Sequence, residues 1–302
     1  MFSSWSNHAL EPTTTLAGAR WVHVVDPSPE ERARLLAELA IPAEFLTHAL
    51  DPDEVSRIDH ENGSSFLIVR VPWVTGGVYR TVPLAVMLLK DLVVTIVPAP
   101  EDVLARLALP ADLDPAQPTL LFLKLLARIA SRYLLDVRDI DRRVDEVEAR
   151  LERSLRNREV LDLLAYQKGL VHFETALASN QIMMDRLAKD ERLLKSPSEL
   201  ALLDDVLVEF RQARVMAEVS TNILSQMMDA FASIISNNLN VVMKVLTSLT
   251  LLFAIPTAVA SFFGMNVTLP FGGHERTFEA TILISLVLVL VAVVFFRRRR
   301  WL

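Results

Sequence analysis

Residues 240–266, NVVMKVLTSLTLLFAIPTAVASFFGMN, give the first indication of how this chain folds. Its residues 245–263 are apolar and about long enough to cross the hydrocarbon of a bilayer as one helix. A second apolar run follows at residues 278–296 and is interrupted only by Glu279. Because the connection is short, we predict that the chain turns straight back and that residues 264–277 form an extracytoplasmic loop.

The basic tail, residues 297–302, orients these two predicted spans. Its sequence is RRRRWL, and four consecutive arginines after a span mark the cytoplasmic side, while Trp301 suits the membrane interface. We therefore expect a two-span inner-membrane protein with both chain ends in the cytoplasm. The alternative, two core helices of a soluble protein, does not explain an arginine cluster directly after an apolar run.

Small and polar residues recur at heptad spacing along the first apolar run. One heptad position holds Asn240, Thr247, Ala254 and Ser261, and the position three residues later holds Met243, Thr250, Thr257 and Gly264. In lipid such a stripe must face protein or water, which leaves two interpretations: close helix packing in a dimer, or the wall of a pore. One chain with two spans cannot enclose a pore, so the second interpretation requires a cyclic homo-oligomer.

A helix-start signal lies well before the first span. Ser196 can cap, Pro197 fits the first turn and Glu199 completes a capping box. No further proline or glycine occurs before Pro256, so we predict one helix through residues 196–263, roughly 100 Å long. The membrane needs only about 30 Å of it, and the rest is expected to project into the cytoplasm as a stalk.

For the sequence before the stalk we predict a cytoplasmic α/β domain, residues 1–117, and an antiparallel helical hairpin, residues 118–195. The domain shows a strand at 21–25, helices at 26–40 and 42–50, and two strand pairs about Asn62-Gly63 and Lys90-Asp91, which indicate a largely antiparallel sheet. In the hairpin, apolar residues recur at spacings of three and four. The expected fold class is thus an α/β domain with a long helical stalk and two C-terminal transmembrane helices.

Several function classes are disfavoured by composition and motifs. The absence of cysteine excludes disulfides and cysteine-ligated zinc. Phosphate-loop, dinucleotide, nucleophile-elbow and zincin motifs are missing and the six histidines are scattered, so we predict no enzyme and no catalytic residue. A net charge of −6 without a basic face argues against nucleic acid, and the start of the chain shows no signal peptide.

Taken together, four features closely resemble the CorA family of magnesium channels. They are the N-x-x-M-K-x-L pattern at 240–246, Ile255-Pro256-Thr257, the triplet Gly264-Met265-Asn266 and the basic tail after the second span. Gly-Met-Asn after the penultimate span is that family's signature. The resemblance is tight over residues 196–302 and looser before them. It implies a homopentamer with a funnel-shaped cytoplasmic domain, in which the first transmembrane helix lines the pore.

The resemblance also implies roles for individual residues. The selectivity filter would be Gly264, Met265 and Asn266, with a ring of Asn266 amides at the outer mouth. Mg²⁺ gives up its water reluctantly, and neutral amides could hold its water shell and still release the ion. Matched by position, the pore-lining residues are Asn240, Met243, Leu246, Thr250, Ala254 and Thr257. Of these, Met243 and Leu246 would form a hydrophobic constriction that closes by dewetting.

The loop after Asn266 departs from the family, whose members often carry an acidic Met-Pro-Glu-Leu stretch there. This chain has VTLPFGGHERT instead, so Glu275 is the nearest carboxylate that could attract cations. A rival interpretation is a non-conducting coiled-coil anchor or cytoplasmic sensor with the same spans. Such a protein would have no use for Asn266 or for the threonine stripe.

The regulatory metal site of the family is the second departure. It pairs a stalk aspartate with an acid from the N-terminal domain of the next subunit; Asp205 matches the stalk member, but His48 stands where the partner acid is usual. Asp51, Asp53 and Glu54 are the acids available in its place. A histidine suits Zn²⁺ or Co²⁺ better than Mg²⁺, so the alternative is a proton-coupled transporter of the same fold that carries Zn²⁺, Co²⁺ or Ni²⁺.

Overall fold

The computed structural model describes residues 2–6, 9–13, 16, 18–39, 41–61, 63–89, 91–100, 102–110, 112–151, 157–265 and 274–301. The chain divides into two compact units, Met1–Gln226 and Met227–Leu302. The first unit mixes strands and helices, and the second consists of long apolar helical segments. One helix, α5 (Pro197–Phe263), contributes residues to both units.

A seven-stranded sheet with the order β2-β1-β3-β7-β6-β5-β4 forms the base of the first unit. The strands are β1 Phe2–Ser6, β2 Ala9–Pro12, β3 Trp21–Val25, β4 Arg57–Glu61, β5 Ser64–Thr75, β6 Val78–Leu88 and β7 Val93–Val97. Neighbouring strands pair antiparallel except β3 and β7, which run parallel. The predicted largely antiparallel sheet is therefore confirmed.

The predicted strands are present at the predicted positions, but two features of the sheet differ from the prediction. The hairpin β1–β2 was not predicted, and β6 begins earlier than expected, directly after a turn at Gly76 and Gly77. These two glycines have φ values of 56° and 81°, which a residue without a Cβ adopts at little steric cost. A Gly-Gly pair between two alternating runs is a hairpin signal, so this turn was open to prediction.

Two short helices, α1 (Pro29–Glu38) and α2 (Ala43–Ala49), and a 3₁₀ turn at Leu104–Leu107 accompany the sheet. The predicted start of α1 at Asp26 is wrong, because Ser28 caps the helix. The Glu31 N–H donates to Ser28 Oγ at 3.2 Å, and the Ser28 N–H donates to Glu31 Oε2 at 2.9 Å. This capping box fixes the helix start three residues after Asp26.

Two longer helices, α3 (Pro118–Leu151) and α4 (Asn157–Leu187), occupy the segment predicted as a helical hairpin. Their buried rings meet edge to face, with the centroids of Tyr133 and Phe173 5.3 Å apart. On α4, Gly169 lies so close to β6 that an added Cβ would stand 2.7 Å from Tyr79 Cβ. Helix α4 can approach the sheet this closely only because that residue is a glycine.

Helix α5 has the predicted start and the predicted length. The Glu199 N–H donates to Ser196 Oγ at 3.2 Å, and the Ser196 N–H donates to Glu199 Oε2 at 2.9 Å, which completes the capping box. The helix then runs unbroken to Phe263 with Pro256 inside it. Helix α6 (His274–Arg298) begins before the second predicted span, so residues 274–277 of the predicted loop are helical. Both helices contain segments long and apolar enough to cross a membrane.

Candidate functional site

The six residues predicted to line a pore all lie on α5, and all are exposed within the single chain. They are Asn240, Met243, Leu246, Thr250, Ala254 and Thr257. The two large ones, Met243 and Leu246, are 58% and 54% exposed. Because successive helical residues are turned by about 100°, the six occupy one sector about a third of the circumference wide. They therefore form one continuous stripe, which we call the polar stripe after its polar members Asn240, Thr250 and Thr257.

The face of α5 that the chain itself covers lies away from the polar stripe. Among the described residues after 226, the buried residues of α5 are Ser248 and Val259, which are 0% and 8% exposed. These two positions share one face, and a turn of about 100° per residue places that face roughly opposite the polar stripe. The polar stripe is thus the side of α5 for which the single chain provides no packing.

The threonine hydroxyls in the polar stripe are bonded to their own helix. Thr250 Oγ1 donates to the Leu246 carbonyl at 2.9 Å, and Thr257 Oγ1 donates to the Phe253 carbonyl at 3.0 Å. Each hydroxyl proton is therefore used, while the oxygen lone pairs can still accept from water. Such a surface accepts hydrogen bonds from the waters around a hydrated cation.

The C-terminal end of α5 carries the first two residues of the predicted filter. Gly264 and Met265 are both exposed, and the Gly264 N–H continues the helix by donating to the Ala260 carbonyl at 2.9 Å. A Cβ on Gly264 would lie 3.2 Å from that carbonyl oxygen, which is a tight contact. Asn266 lies outside the described residues. Glu275 is in the first turn of α6, where only the backbone is described, so the roles of these two side chains remain predictions.

The residues predicted for a regulatory metal site are only partly brought together. His48 Nδ1 lies 2.7 Å from Glu54 Oε2, whereas Asp51 and Asp53 are exposed on the following turn and Asp205 is exposed on α5. The part of the chain that the structure describes contains no group of three or more histidine, cysteine or acidic side chains arranged to hold a metal. A metal site built from these residues would need a second copy of the chain.

The acidic turn, residues 51–54, is supported by a buried polar network that was not predicted from the sequence. Arg70 Nη1 donates to the Glu54 carbonyl at 2.7 Å, while the fully buried Asn180 accepts from the Arg70 N–H at 2.9 Å and donates to its carbonyl at 2.8 Å. Burial lowers the pKa of the Arg70 guanidinium, and Tyr133 and Asp53 oppose that shift. Arg70 and Asn180 are 110 positions apart, so no local pattern could have joined them.

The comparisons with known proteins agree with this architecture. The family model for "CorA-like Mg2+ transporter protein" matches residues 17–298. The cobalt/magnesium transport protein CorA of Methanocaldococcus jannaschii is 24% identical over 294 residues, which cover 93% of this chain and 90% of that protein. The complete structure of the CorA magnesium transporter from that organism superposes with a TM-score of 0.82 at 22% identity and covers 100% of this chain and 98% of that one.

Two further solved structures share the fold. The full-length CmaX protein matches with a TM-score of 0.71 at 18% identity, over 93% of this chain and 88% of its own. The cytoplasmic domain of ZntB from Vibrio parahaemolyticus matches with a TM-score of 0.58 at 13% identity, over 78% of this chain and 97% of its own. At these identities the likeness establishes the fold: an α/β domain, a long helix and, in the complete chains, two C-terminal apolar helices.

Proposed function

The chain belongs to the family of CorA-like Mg²⁺ transporter proteins, and from that membership we propose that it is a divalent cation channel that selects hydrated Mg²⁺ as a homopentamer. The observation that carries the proposal is the position of the polar stripe, opposite the face of α5 that the chain itself buries. In lipid a polar stripe needs polar neighbours. Copies arranged around one axis would supply them and enclose water between the stripes.

Selection of the ion is assigned to a ring of Asn266 side chains at the outer end of α5. An amide carbonyl accepts hydrogen bonds from the waters that Mg²⁺ keeps around it, so the ion need not lose its hydration shell. A neutral ring binds the hydrated ion without trapping it, as conduction requires. Glu275, early in α6, would raise the local concentration of cations near this ring.

Closure of the pathway is assigned to Met243 and Leu246. Both are apolar and more than half exposed within the single chain, so in a ring they would face either the pore axis or a neighbouring copy. An apolar constriction of this kind stops ions by losing its water rather than by repelling charge. Asn240, at the cytoplasmic end of the polar stripe, would rehydrate the ion after that constriction.

The direction of the chain in the membrane follows from its charge. Arg297 to Arg300 come directly after the second span, which supports a cytoplasmic position for the chain end and for the first unit. We assign the chain to the inner membrane, with a short external loop. We also assign a regulatory role to Asp205, which would share a cation with Asp51, Asp53 or Glu54 of a neighbouring copy.

Proton-coupled transport of Zn²⁺ is the second candidate function. It is favoured by the His48–Glu54 contact of 2.7 Å, since imidazole with carboxylate suits Zn²⁺ better than Mg²⁺, and by the likeness to the ZntB cytoplasmic domain. The two functions differ in their ion and in their dependence on a pH gradient. Flux of Mg²⁺, Zn²⁺, Co²⁺ and Ni²⁺ into proteoliposomes, with and without such a gradient, separates them.

The substitution Asn266→Ala tests the proposed filter. It removes the carbonyl acceptors and leaves the helices unchanged, so the variant is expected to assemble and insert normally. Its Mg²⁺ flux into proteoliposomes should fall by about tenfold or more, because a hydrogen bond to a charged species contributes about 1.5–3 kcal/mol.

Thr268→Ala is the matched control, since it changes a polar residue of the same loop two positions further on. Its flux should stay near that of the parent. If Asn266→Ala assembles as the parent does and conducts Mg²⁺ at the parental rate, the filter is elsewhere. A dominant monomer or dimer in a mass measurement of the detergent-solubilised complex would contradict the pore itself.

A further inference from the structure

The C-terminal end of α6 is closed by a well-defined backbone motif. The Trp301 N–H donates to the Phe296 carbonyl at 3.0 Å, and the Arg300 N–H donates to the Arg297 carbonyl at 3.1 Å. Arg300 has a φ of 56°, and the Trp301 ring stacks on Phe296 with centroids 5.8 Å apart. Together these are the bonds and the apolar contact of a Schellman motif, which usually has glycine in the left-handed position. The last residues are therefore held in a fixed arrangement.

This motif presents four cations at one helix end. Arg297 to Arg300, which we call the arginine cap, are all exposed, and among the described residues none of them forms an ion pair. Arg299 lies 5.8 Å from the centroid of the Phe295 ring, which keeps its side chain near the apolar end of the helix. Lys244, the only ionisable residue between positions 230 and 273, adds a fifth cation at the start of the first span.

We propose that the arginine cap is a binding site for the headgroups of anionic phospholipids. A planar guanidinium donates two parallel hydrogen bonds to a phosphate, and it gives up its hydration more readily than an ammonium. The cap begins one residue after the second apolar run, at the depth where lipid phosphates lie, and Trp301 is the residue type that marks this interface. A membrane surface rich in acidic lipid attracts such a cluster, and the attraction decays within a Debye length.

The test measures bound lipid rather than ion flux, so its outcome is independent of the transport proposal. The full chain is purified in detergent, mixed with phosphatidylglycerol or phosphatidylcholine of identical acyl chains, and examined by native mass spectrometry. The parent should retain phosphatidylglycerol preferentially. The variant Arg297→Gln/Arg298→Gln/Arg299→Gln/Arg300→Gln should lose that retention by about tenfold or more. Equal retention of both lipids by the parent, or undiminished phosphatidylglycerol retention by the variant, overturns the proposal.

Two further variants keep the proposal falsifiable if the fourfold change prevents insertion. Arg299→Gln/Arg300→Gln leaves two arginines to orient the span and should lose part of the retention. Replacing all four arginines by lysine keeps the charge without the paired donors and should give intermediate retention. Arg186→Gln/Arg192→Gln, in the first unit, removes two cations elsewhere and should change nothing. Displacement of the lipid by millimolar glycerol phosphate would indicate a site for soluble anions and would contradict the proposal.

Discussion

The two halves of helix α5 share one backbone but differ in what surrounds them. The half before residue 226 is packed within its own chain, whereas the half after it is almost wholly exposed. The buried residues of the first half are Leu203, Val206, Leu207, Phe210, Ala213, Ala217, Ser220 and Leu224; those of the second, among the described residues, are Ser248 and Val259. An apolar helix that one chain leaves uncovered is completed by lipid or by other protein.

Hydrogen bonds show the same contrast. In the first half, side chains of α5 bond to other helices: Ser131 donates to Glu209 at 3.2 Å and Gln167 to Ser225 at 2.8 Å. Thr221 and Ser225 of the first half also donate to carbonyls of α5 itself, and in the second half the hydroxyls of Ser248, Thr250 and Thr257 do the same. Polar groups that bond only to their own helix specify no partner within the chain. The first half is therefore held by contacts within the chain.

The contrast is tested most strongly by one aromatic residue from each half. Phe210 is 1% exposed and its ring centroid lies 6.4 Å from that of Tyr133, whereas Phe253 is 69% exposed. Phe210→Ala should cost about 3–5 kcal/mol of unfolding free energy, because it leaves a cavity in a packed core. The measurement is urea denaturation of the full chain in detergent, followed by tryptophan fluorescence, since Trp21 is fully buried in the first unit.

Phe253→Ala is the control for that measurement. It removes the same side chain from the same helix, but at a position that is 69% exposed, so the unfolding free energy should stay within about 0.5 kcal/mol of that of the parent. Equal losses from both substitutions would mean that the second half of α5 supports the folding of the first unit. The comparison between the halves would then fail.

Substitution of Asp205 tests whether the first half of α5 also interacts with another copy of the chain. Asp205 is exposed on α5, and the proposed regulatory role requires it to meet acids of another copy. Asp205→Ala should shift the Mg²⁺ concentration that protects the full chain from protease upward by about tenfold or more, because a carboxylate ligand is lost. The neighbouring Asp204→Ala, also exposed, is the matched control. Identical protection curves for parent, Asp204→Ala and Asp205→Ala would remove the regulatory assignment.

Local signals predicted much of the fold. The start of α5 at Ser196 and its length to Phe263 followed from a capping box and from the lack of helix breakers, both of which act within a few residues. The start of α1 lies after the predicted Asp26, because the Ser28–Glu31 capping box and not the Asp-Pro pair begins the helix. The strands β1 and β2 carry no comparable turn signal, and they are defined by their place beside β3.

The candidate site likewise has a part that local sequence patterns predict and a part that they do not. Most of the polar stripe was predictable, because five of its six residues lie on two heptad positions, which map onto one face of a helix; Leu246 came from the family resemblance. The contacts of Arg70 with Asn180, and of Gly169 with Tyr79, join residues about 90 to 110 positions apart and exist only after the sheet and helices have packed. Local periodicity carries no information on such pairs, so the contacts of Arg70 with Asn180 could be found only in the structure.

The smallest predicted effect concerns the two ends of α5. The first end is capped by Ser196 and Glu199, while at the second end the described residues continue the helix through the Gly264 N–H. Ser196→Ala should cost about 1 kcal/mol of unfolding free energy, since it leaves one first-turn N–H without its partner. The neighbouring Ser198→Ala, inside the helix, should cost less. If both substitutions leave the urea midpoint unchanged, the cap does not contribute to the stability of the first unit.

The acid of the same cap gives that stability a pH dependence of known sign. Partial burial would raise the pKa of Glu199, but hydrogen bonds from the Lys195 and Ser196 N–H groups outweigh it and hold the pKa below its ordinary value. The stabilisation is therefore present above the unfolded pKa of about 4.3 and is lost as pH falls through the folded value. Glu199→Gln keeps an acceptor but cannot titrate, so the urea midpoint of this variant should fall less between pH 5 and pH 3 than that of the parent. If the urea midpoints of the parent and of Glu199→Gln fall equally, Glu199 is not ionised in the cap. The first end of α5 would then have no charged cap.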